Sequence, residues 1–165
     1  MNIRMTSKSS DVKSNPCILE NAREESQREA MGRINAKGRC SFCLDDLGEE
    51  HKKPIIYVGE HWKVTENQWA YPASKEHILI ISKTHATCFA DLPIGAGDEL
   101  ICIAHMLEGM YNVKSGAMCM RFGDSLLNGA SVEHVHVHFL VPDPDKEEAL
   151  FFWIDRKGKK ITPIS

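Results

Sequence analysis

The alternation of apolar and polar positions along the chain predicts several short strands and two helices. Ile55 to Val58, Trp62 to Thr65 and Ile78 to Ser82 carry the β-branched and aromatic content of strands, separated by Gly59-Glu60 and a loop containing Pro72. Leu100, Ile103, Ala104, Leu107 and Tyr111 recur at three-to-four spacing, which predicts one amphipathic helix over 98–111 packed on that sheet. Met118 to Phe122 and Glu133 to Val141 read as further strands, and Phe151 to Ile154 with Lys159 to Pro163 as a terminal hairpin around Lys157-Gly158. Upstream, Ile18, Leu19, Ala22, Ala30, Met31 and Ile34 make a weak apolar stripe, the pattern of a peripheral helix from Cys17 to Ala36 with Asn15-Pro16 as its cap and Gly38 as its stop. Met1 to Ser14 has little apolar content and is expected to be mobile. Few strands alternate with helices, so the expected class is α+β: an antiparallel sheet packed with helices. Residues 1–36 form an N-terminal extension, partly mobile and partly helical, and residues 37–165 the domain proper.

A length of 165 residues with 42% hydrophobic content suits one domain with a sizeable core. Twenty basic residues against twenty-three acidic ones leave no bulk positive field for wrapping a nucleic-acid polymer, so any phosphate must be held locally. No apolar run approaches the roughly 18 residues needed to cross a bilayer. The polar start lacks a secretory stretch, and Arg4, Lys8 and Lys13 around Asp11 make a poor basic leader, so the expectation is a cytoplasmic protein without a membrane partner. There the six cysteines read as thiols or metal ligands rather than as three disulfides. Cys17, Cys88, Cys102 and Cys119 lie among apolar neighbours, as small core hydrophobes do, whereas Cys40 and Cys43 form C-S-F-C.

The most informative segment runs from Gly129 to Leu140, where His134, His136 and His138 alternate with Val135, Val137 and Phe139. On a strand this spacing places the three imidazoles on one face and the apolar residues on the other. Three readings follow. The bland one is a half-buried strand with histidine on its polar face, disfavoured because uncompensated burial of so many ring nitrogens is costly. The second is a catalytic zinc site built from His-X-His and a distant histidine. The third is nucleophilic catalysis by an imidazole nitrogen.

His134 through Leu140 resembles the His-φ-His-φ-His-φ-φ signature, with φ apolar, of the histidine triad (HIT) superfamily. Gly129-Ala130-Ser131-Val132 looks like that family's phosphate loop, and the segment from His77 to His85 like its upstream histidine-strand-histidine element. The resemblance covers roughly residues 40–141. It implies a HIT-like sheet-and-helix domain, often a homodimer, that binds a nucleoside phosphate or dinucleoside polyphosphate and acts at the α-phosphorus. Carried over residue by residue, His136 would be the nucleophile that forms a nucleotidyl-histidine, and His138 and His77 would orient it or bond phosphate oxygens. The Ser131 hydroxyl would assist the leaving group. A neutral imidazole, with an ordinary pKa of about 6.5, needs no separate base for this task.

Backbone amides from Gly129 through Ala130 to Ser131 would cradle phosphate oxygens if the loop turns as a nest. Asn67 to Pro72 resembles the loop that frames base and ribose, although Ala70 stands where proline is common. Trp69 would then stack on a base, against the reading that Trp69 and Tyr71 close an edge of the core and Asn67 is a turn residue. Arg121 is placed to reach phosphate, or else forms a surface ion pair.

In some relatives, and in nucleotide-sugar uridylyltransferases, a cysteine pair like Cys40 and Cys43 is completed by histidines that correspond here to His85 and His134. The resemblance thus implies a structural Cys2His2 zinc site that leaves His136 free. The competing readings of C-S-F-C are a redox pair and two unligated thiols. The function implied is hydrolysis of a nucleoside phosphoanhydride or phosphoramidate. The alternatives are a nucleotidyltransferase or dinucleoside-polyphosphate phosphorylase using the same histidine, and a non-catalytic nucleotide-binding module. His138 leans away from the uridylyltransferases, where glutamine is usual.

Overall fold

The structure is a computed structural model that describes residues 15–154. Five antiparallel strands form one sheet in the order β1-β2-β3-β5-β4. They are β1 (Ile55–Val58), β2 (Trp62–Glu66), β3 (Ser74–Ser82), β4 (Ala117–Met120) and β5 (His136–Pro142). The helices are α1 (Glu25–Lys37), α2 (Ala96–Met110) and the short α3 (Ser125–Asn128), which the apolar pattern does not announce. The α+β expectation is met.

Strand alternation divides the sheet into two faces. On one, Ile78 and Ile80 of β3 and Val137, Phe139 and Val141 of β5 join Trp62 and Val64 in the main core, against Ala96, Ile103 and Leu107 of α2. The Trp62 indole N–H donates to Ala96 O at 2.7 Å, which satisfies its one polar atom at the start of α2. On the other face His77, Leu79 and Ile81 of β3 lie beside His136, His138 and Leu140 of β5, and Leu47 packs there on Leu79 and Ile81. β5 is hydrogen-bonded on both sides, to β3 and β4, so the backbone carrying the histidines is held from two directions.

The segment before α1 departs from expectation. Asn15-Pro16 does not cap a helix: Glu133 N–H donates to Pro16 O at 3.0 Å, Ile18 N–H donates to Ser131 O at 2.9 Å, and Cys17 bridges Val132. These pairings draw residues 16–18 out alongside the loop before β5, and after a single turn at Leu19–Asn21 the helix begins only at Glu25. Buried Asn21 donates its side-chain amide to Ala130 O at 2.8 Å and Ser125 O at 3.2 Å, tying the same loop from below. Gly38 ends α1 as expected, with φ of 64°.

Other boundaries shift too. β3 extends back to Ser74, β4 ends before Arg121, and β5 begins at His136, because Val135 N–H turns to Ala86 O instead of continuing the ladder. Phe151 to Ile154 is not a strand, and its expected partner Lys159 to Pro163 lies outside the described residues, as does Met1 to Ser14. Cys17 is buried in the packing beneath α1, but Cys102 is exposed on α2, so it is not a core residue.

Candidate functional site

The site lies on the sheet face opposite α2, where backbone and ring hydrogen bonds fix each imidazole in one protonation pattern. His136 has its Nδ1 2.7 Å from His134 O. A carbonyl only accepts, so Nδ1 carries the proton and Nε2 keeps its lone pair. Burial pushes the His136 pKa down to about 4, against the opposing pull of that hydrogen bond, so the ring is neutral at ordinary pH. Phe42, from the C-S-F-C segment, sets its ring edge-on to His136 at 5.3 Å and to His134 at 5.8 Å.

A second chain of bonds fixes the flanking rings. Tyr71 N–H donates to His77 Nδ1 at 2.9 Å, which leaves the His77 proton on Nε2, 2.8 Å from His138 Nδ1. His138 Nδ1 therefore accepts, and its proton sits on Nε2. His77 faces Leu140 and His138 faces Leu79 across the β3–β5 pair, so the two rings meet on the diagonal. Burial lowers the His77 pKa to about 3, with the charge of Arg23 adding to the effect, and it lowers His138 as well. Tyr71 stacks on His138 with centroids 5.5 Å apart, and Phe152 meets the same ring at 5.1 Å.

Two hollows meet at these histidines. One runs between α1 and the sheet, with Met31, Ile34, Phe42, Leu47 and Leu79 among its apolar walls and Asn67 and Trp69 on its border. The other lies toward Arg121, Tyr71 and Trp153. Arg23, Ser131, His136 and His138 border both.

The cysteine pair folds onto the base of the histidine strand. Cys40, Cys43, His85 and His134 have ligand atoms all within 4.8 Å of one another. His134 Nδ1 lies 3.5 Å from Cys40 Sγ and 3.6 Å from Cys43 Sγ, and His85 Nδ1 lies 3.2 Å from Cys43 Sγ. Tetrahedral coordination at roughly 2.3 Å to sulfur and 2.0–2.1 Å to nitrogen puts neighbouring S and N atoms about 3.5 Å apart, so donor set and spacing fit a closed four-ligand site. His134 Nε2–H donates to Ser82 O at 2.7 Å, which turns the unprotonated Nδ1 toward the sulfurs. Cys43 is held toward the thiolate first by its hydrogen bond from the Cys40 thiol, and that thiolate raises the pKa of His85.

Every site residue expected from the sequence falls on this face or its rim, in differing states. Gly129 adopts φ of 76° as the C-cap of α3, a left-handed conformation in which glycine is at ease. Ala130 is buried, and its N–H is already taken by Asn128 Oδ1 at 2.8 Å, so that amide does not serve an open nest. Asn67 Oδ1 accepts from Trp69 N–H at 3.0 Å, making the turn that presents the indole, and the Trp69 N–H of the ring donates to Ser26 Oγ at 3.1 Å. Arg121 is no surface ion pair: it lies 3.9 Å over the Phe152 ring, donates to Tyr71 Oη at 3.2 Å and to Trp153 O at 3.0 Å, and sits 3.4 Å from His138 Nε2. Sequence reasoning missed Arg23, Phe42 and Phe152. Arg23 stands in a run with Glu24 and Glu25 that looks like any solvated helix face, and only the fold turns it inward.

The lowered His77 pKa has a consequence for stability. An unfolded histidine takes up a proton near the ordinary 6.5, whereas folded His77 does so only near about 3. Between those values the unfolded state binds more protons, so stability falls as pH falls through that window and is independent of this group above it. Urea unfolding at pH 7 and pH 5 should give the higher midpoint at pH 7, with the difference narrowed in His77→Gln. An equal pH dependence in both proteins contradicts the assignment.

The sequence profile of the family described as proteins similar to the CwfJ C-terminal region matches residues 27–151. No curated protein matches the chain. Among solved structures, a histidine triad nucleotide-binding protein from Candida albicans superposes with a TM-score of 0.56 at 16% identity, covering 75% of this chain and 87% of that one. A hypothetical protein from Leishmania major gives 0.53 at 24% identity, with 76% and 86% covered. A zinc-bound histidine triad family protein from Mycobacterium smegmatis gives 0.51 at 21% identity, with 70% and 82% covered. At these identities the likeness is one of fold. With the profile spanning most of the chain, the chain belongs to the family of proteins similar to the CwfJ C-terminal region, and its fold is the one seen in histidine triad proteins.

Proposed function

We propose that the protein binds a nucleoside phosphate and transfers its nucleotidyl group through His136, with water as the final acceptor. The observation that carries this reading is the His136 ring itself. Its Nδ1–H is committed to a backbone carbonyl, its Nε2 keeps a lone pair, and the ring borders the junction of the two hollows. Attack by Nε2 on the α-phosphorus expels the leaving group and forms a nucleotidyl-histidine whose positive charge the Nδ1–H···O bond helps to bear. His138 Nε2–H donates to a phosphate oxygen, His77 fixes that tautomer, and Ser131 stands at the same junction to assist departure. The apolar hollow suits base and ribose, with Trp69 closing it.

In this reading Cys40, Cys43, His85 and His134 hold structural zinc, which ties the C-S-F-C segment to the base of β5 and takes no part in bond breaking. No helix among the described residues is long and apolar enough to cross a membrane, and the cytoplasm, where free thiols persist, suits this site. Two copies would pair along β4, the outer strand that carries exposed Met118.

Incubation with adenylylated substrates should add one nucleotide to the intact mass, mapped to His136, and His136→Ala should abolish both the adduct and turnover. Turnover retained in His136→Ala contradicts the mechanism. Metal analysis should find about one zinc per chain in the wild type and in His136→Ala, with Cys40→Ser losing it together with several degrees of Tm. Zinc lost from His136→Ala but kept in Cys40→Ser reverses the ligand assignment.

A further inference from the structure

Arg23 is not explained by the family match, which begins at residue 27. It belongs to the segment between the Leu19–Asn21 turn and α1, yet it borders both hollows at the histidines. Its guanidinium lies 4.4 Å from the centre of the Tyr71 ring and donates to Trp69 O. Arg121 reaches the hydroxyl of the same tyrosine from the other end of the chain's fold. Tyr71 is thus a shared post for two guanidinium groups, and Arg23 is destabilised as a cation first by burial and also by the charge of Arg121.

Among the described residues neither arginine has a carboxylate partner within ion-pair distance. The carboxylate whose charge Arg23 feels is Glu24, its exposed chain neighbour. His138 turns its ring to the same point, with Nε2 3.4 Å from Arg121 Nη1. Two cations that converge here with no anion among the described residues are costly unless a ligand supplies the negative charge.

Resting on the function proposed above, we infer that the hollow between Arg23 and Arg121 receives an anionic leaving group, so that the substrate class is phosphoanhydrides, with a second phosphate beyond the scissile bond, rather than phosphoramidates. The two classes ask for different help. As His136 Nε2 bonds to the α-phosphorus of an anhydride, the P–O bond breaks and its electron pair stays on the bridging oxygen, which departs as a phosphate anion needing positive charge and no proton. In a phosphoramidate the P–N bond breaks and the amine must gain a proton to leave, for which guanidinium groups are of no use. The apolar hollow on the other side of His136 has no such pair of cations, which sets the direction: nucleoside toward α1, leaving phosphate toward Arg121 and Tyr71.

The test compares selectivity, which a purely structural role for Arg23 would not move. Adenosine 5′-phosphoramidate is set against diadenosine triphosphate and ATP, the last two separating a nucleotide from inorganic polyphosphate as the leaving group. Arg23→Gln keeps a donor for Trp69 O and removes the charge, and Arg23→Lys keeps the charge. The anhydride-to-phosphoramidate ratio of kcat/KM should fall at least about tenfold in Arg23→Gln, on the scale of one charge-assisted hydrogen bond, and recover in part in Arg23→Lys. Arg121→Ala, on a different element, should lower the same ratio.

Direct binding of inorganic tripolyphosphate, read by calorimetry, should weaken at least about tenfold in Arg23→Gln. A ratio and a tripolyphosphate affinity both within about threefold of wild type in Arg23→Gln overturn the inference. Arginine-dependent tripolyphosphate binding without a His136 adduct from any substrate supports the anion hollow and refutes the catalytic reading instead.

Discussion

His134 joins the parts of the site. Its carbonyl holds the Nδ1 proton of His136, its Nε2 proton is held by Ser82 O on the neighbouring strand, and its Nδ1 faces the two cysteine sulfurs. One residue therefore fixes the tautomer of the nucleophile, locks its own ring to β3 and brings a segment more than ninety positions upstream to the start of β5. Val135 leaves the ladder to reach Ala86, and this bend is what frees the His134 carbonyl for His136. Without that single acceptor the His136 ring would be free to place its proton on the nitrogen that must attack.

Around this point the protein arranges neutral rings and distant cations instead of acid–base pairs. Burial keeps His77, His136 and His138 uncharged, and a relay from Tyr71 N–H through His77 to His138 orders their protons in one direction. The charge comes from arginines at the rim, held among the described residues by aromatic rings, a hydroxyl and carbonyls rather than by carboxylates. Such a site is poor for binding cations and well disposed toward phosphates, and its low-dielectric setting strengthens each donor that a phosphate meets.

Much of this was legible in the sequence. Period-two alternation at His134, His136 and His138 placed the rings on one face and the valines in the core, because a strand buried on one side has no other register. The resemblance brought Cys40, Cys43, His85 and His134 together, and the fold places them within reach of one another. What escaped depends on long-range pairing. Residues 16–18 have the local chemistry of a helix start but are drawn out by hydrogen bonds to Ser131 and Glu133, a hundred residues away and invisible to a local pattern. Arg23, carried inward by the same detour, looks in sequence like a solvated charge, and Phe152 reaches His138 from a segment whose pattern suggested a hairpin. Ala130 shows the converse: a loop sequence fitting a phosphate nest has one of its amides already satisfied by Asn128.

The protonation of the His136 ring decides whether it can attack, and long-range proton–nitrogen NMR on histidine-labelled protein at pH 7 reads it directly. The predicted spectrum has His136 neutral, protonated on Nδ1 with Nε2 bare, and His138 protonated on Nε2. An imidazolium at His136, a proton on its Nε2, or an Nε2 resonance displaced when zinc is loaded would contradict it.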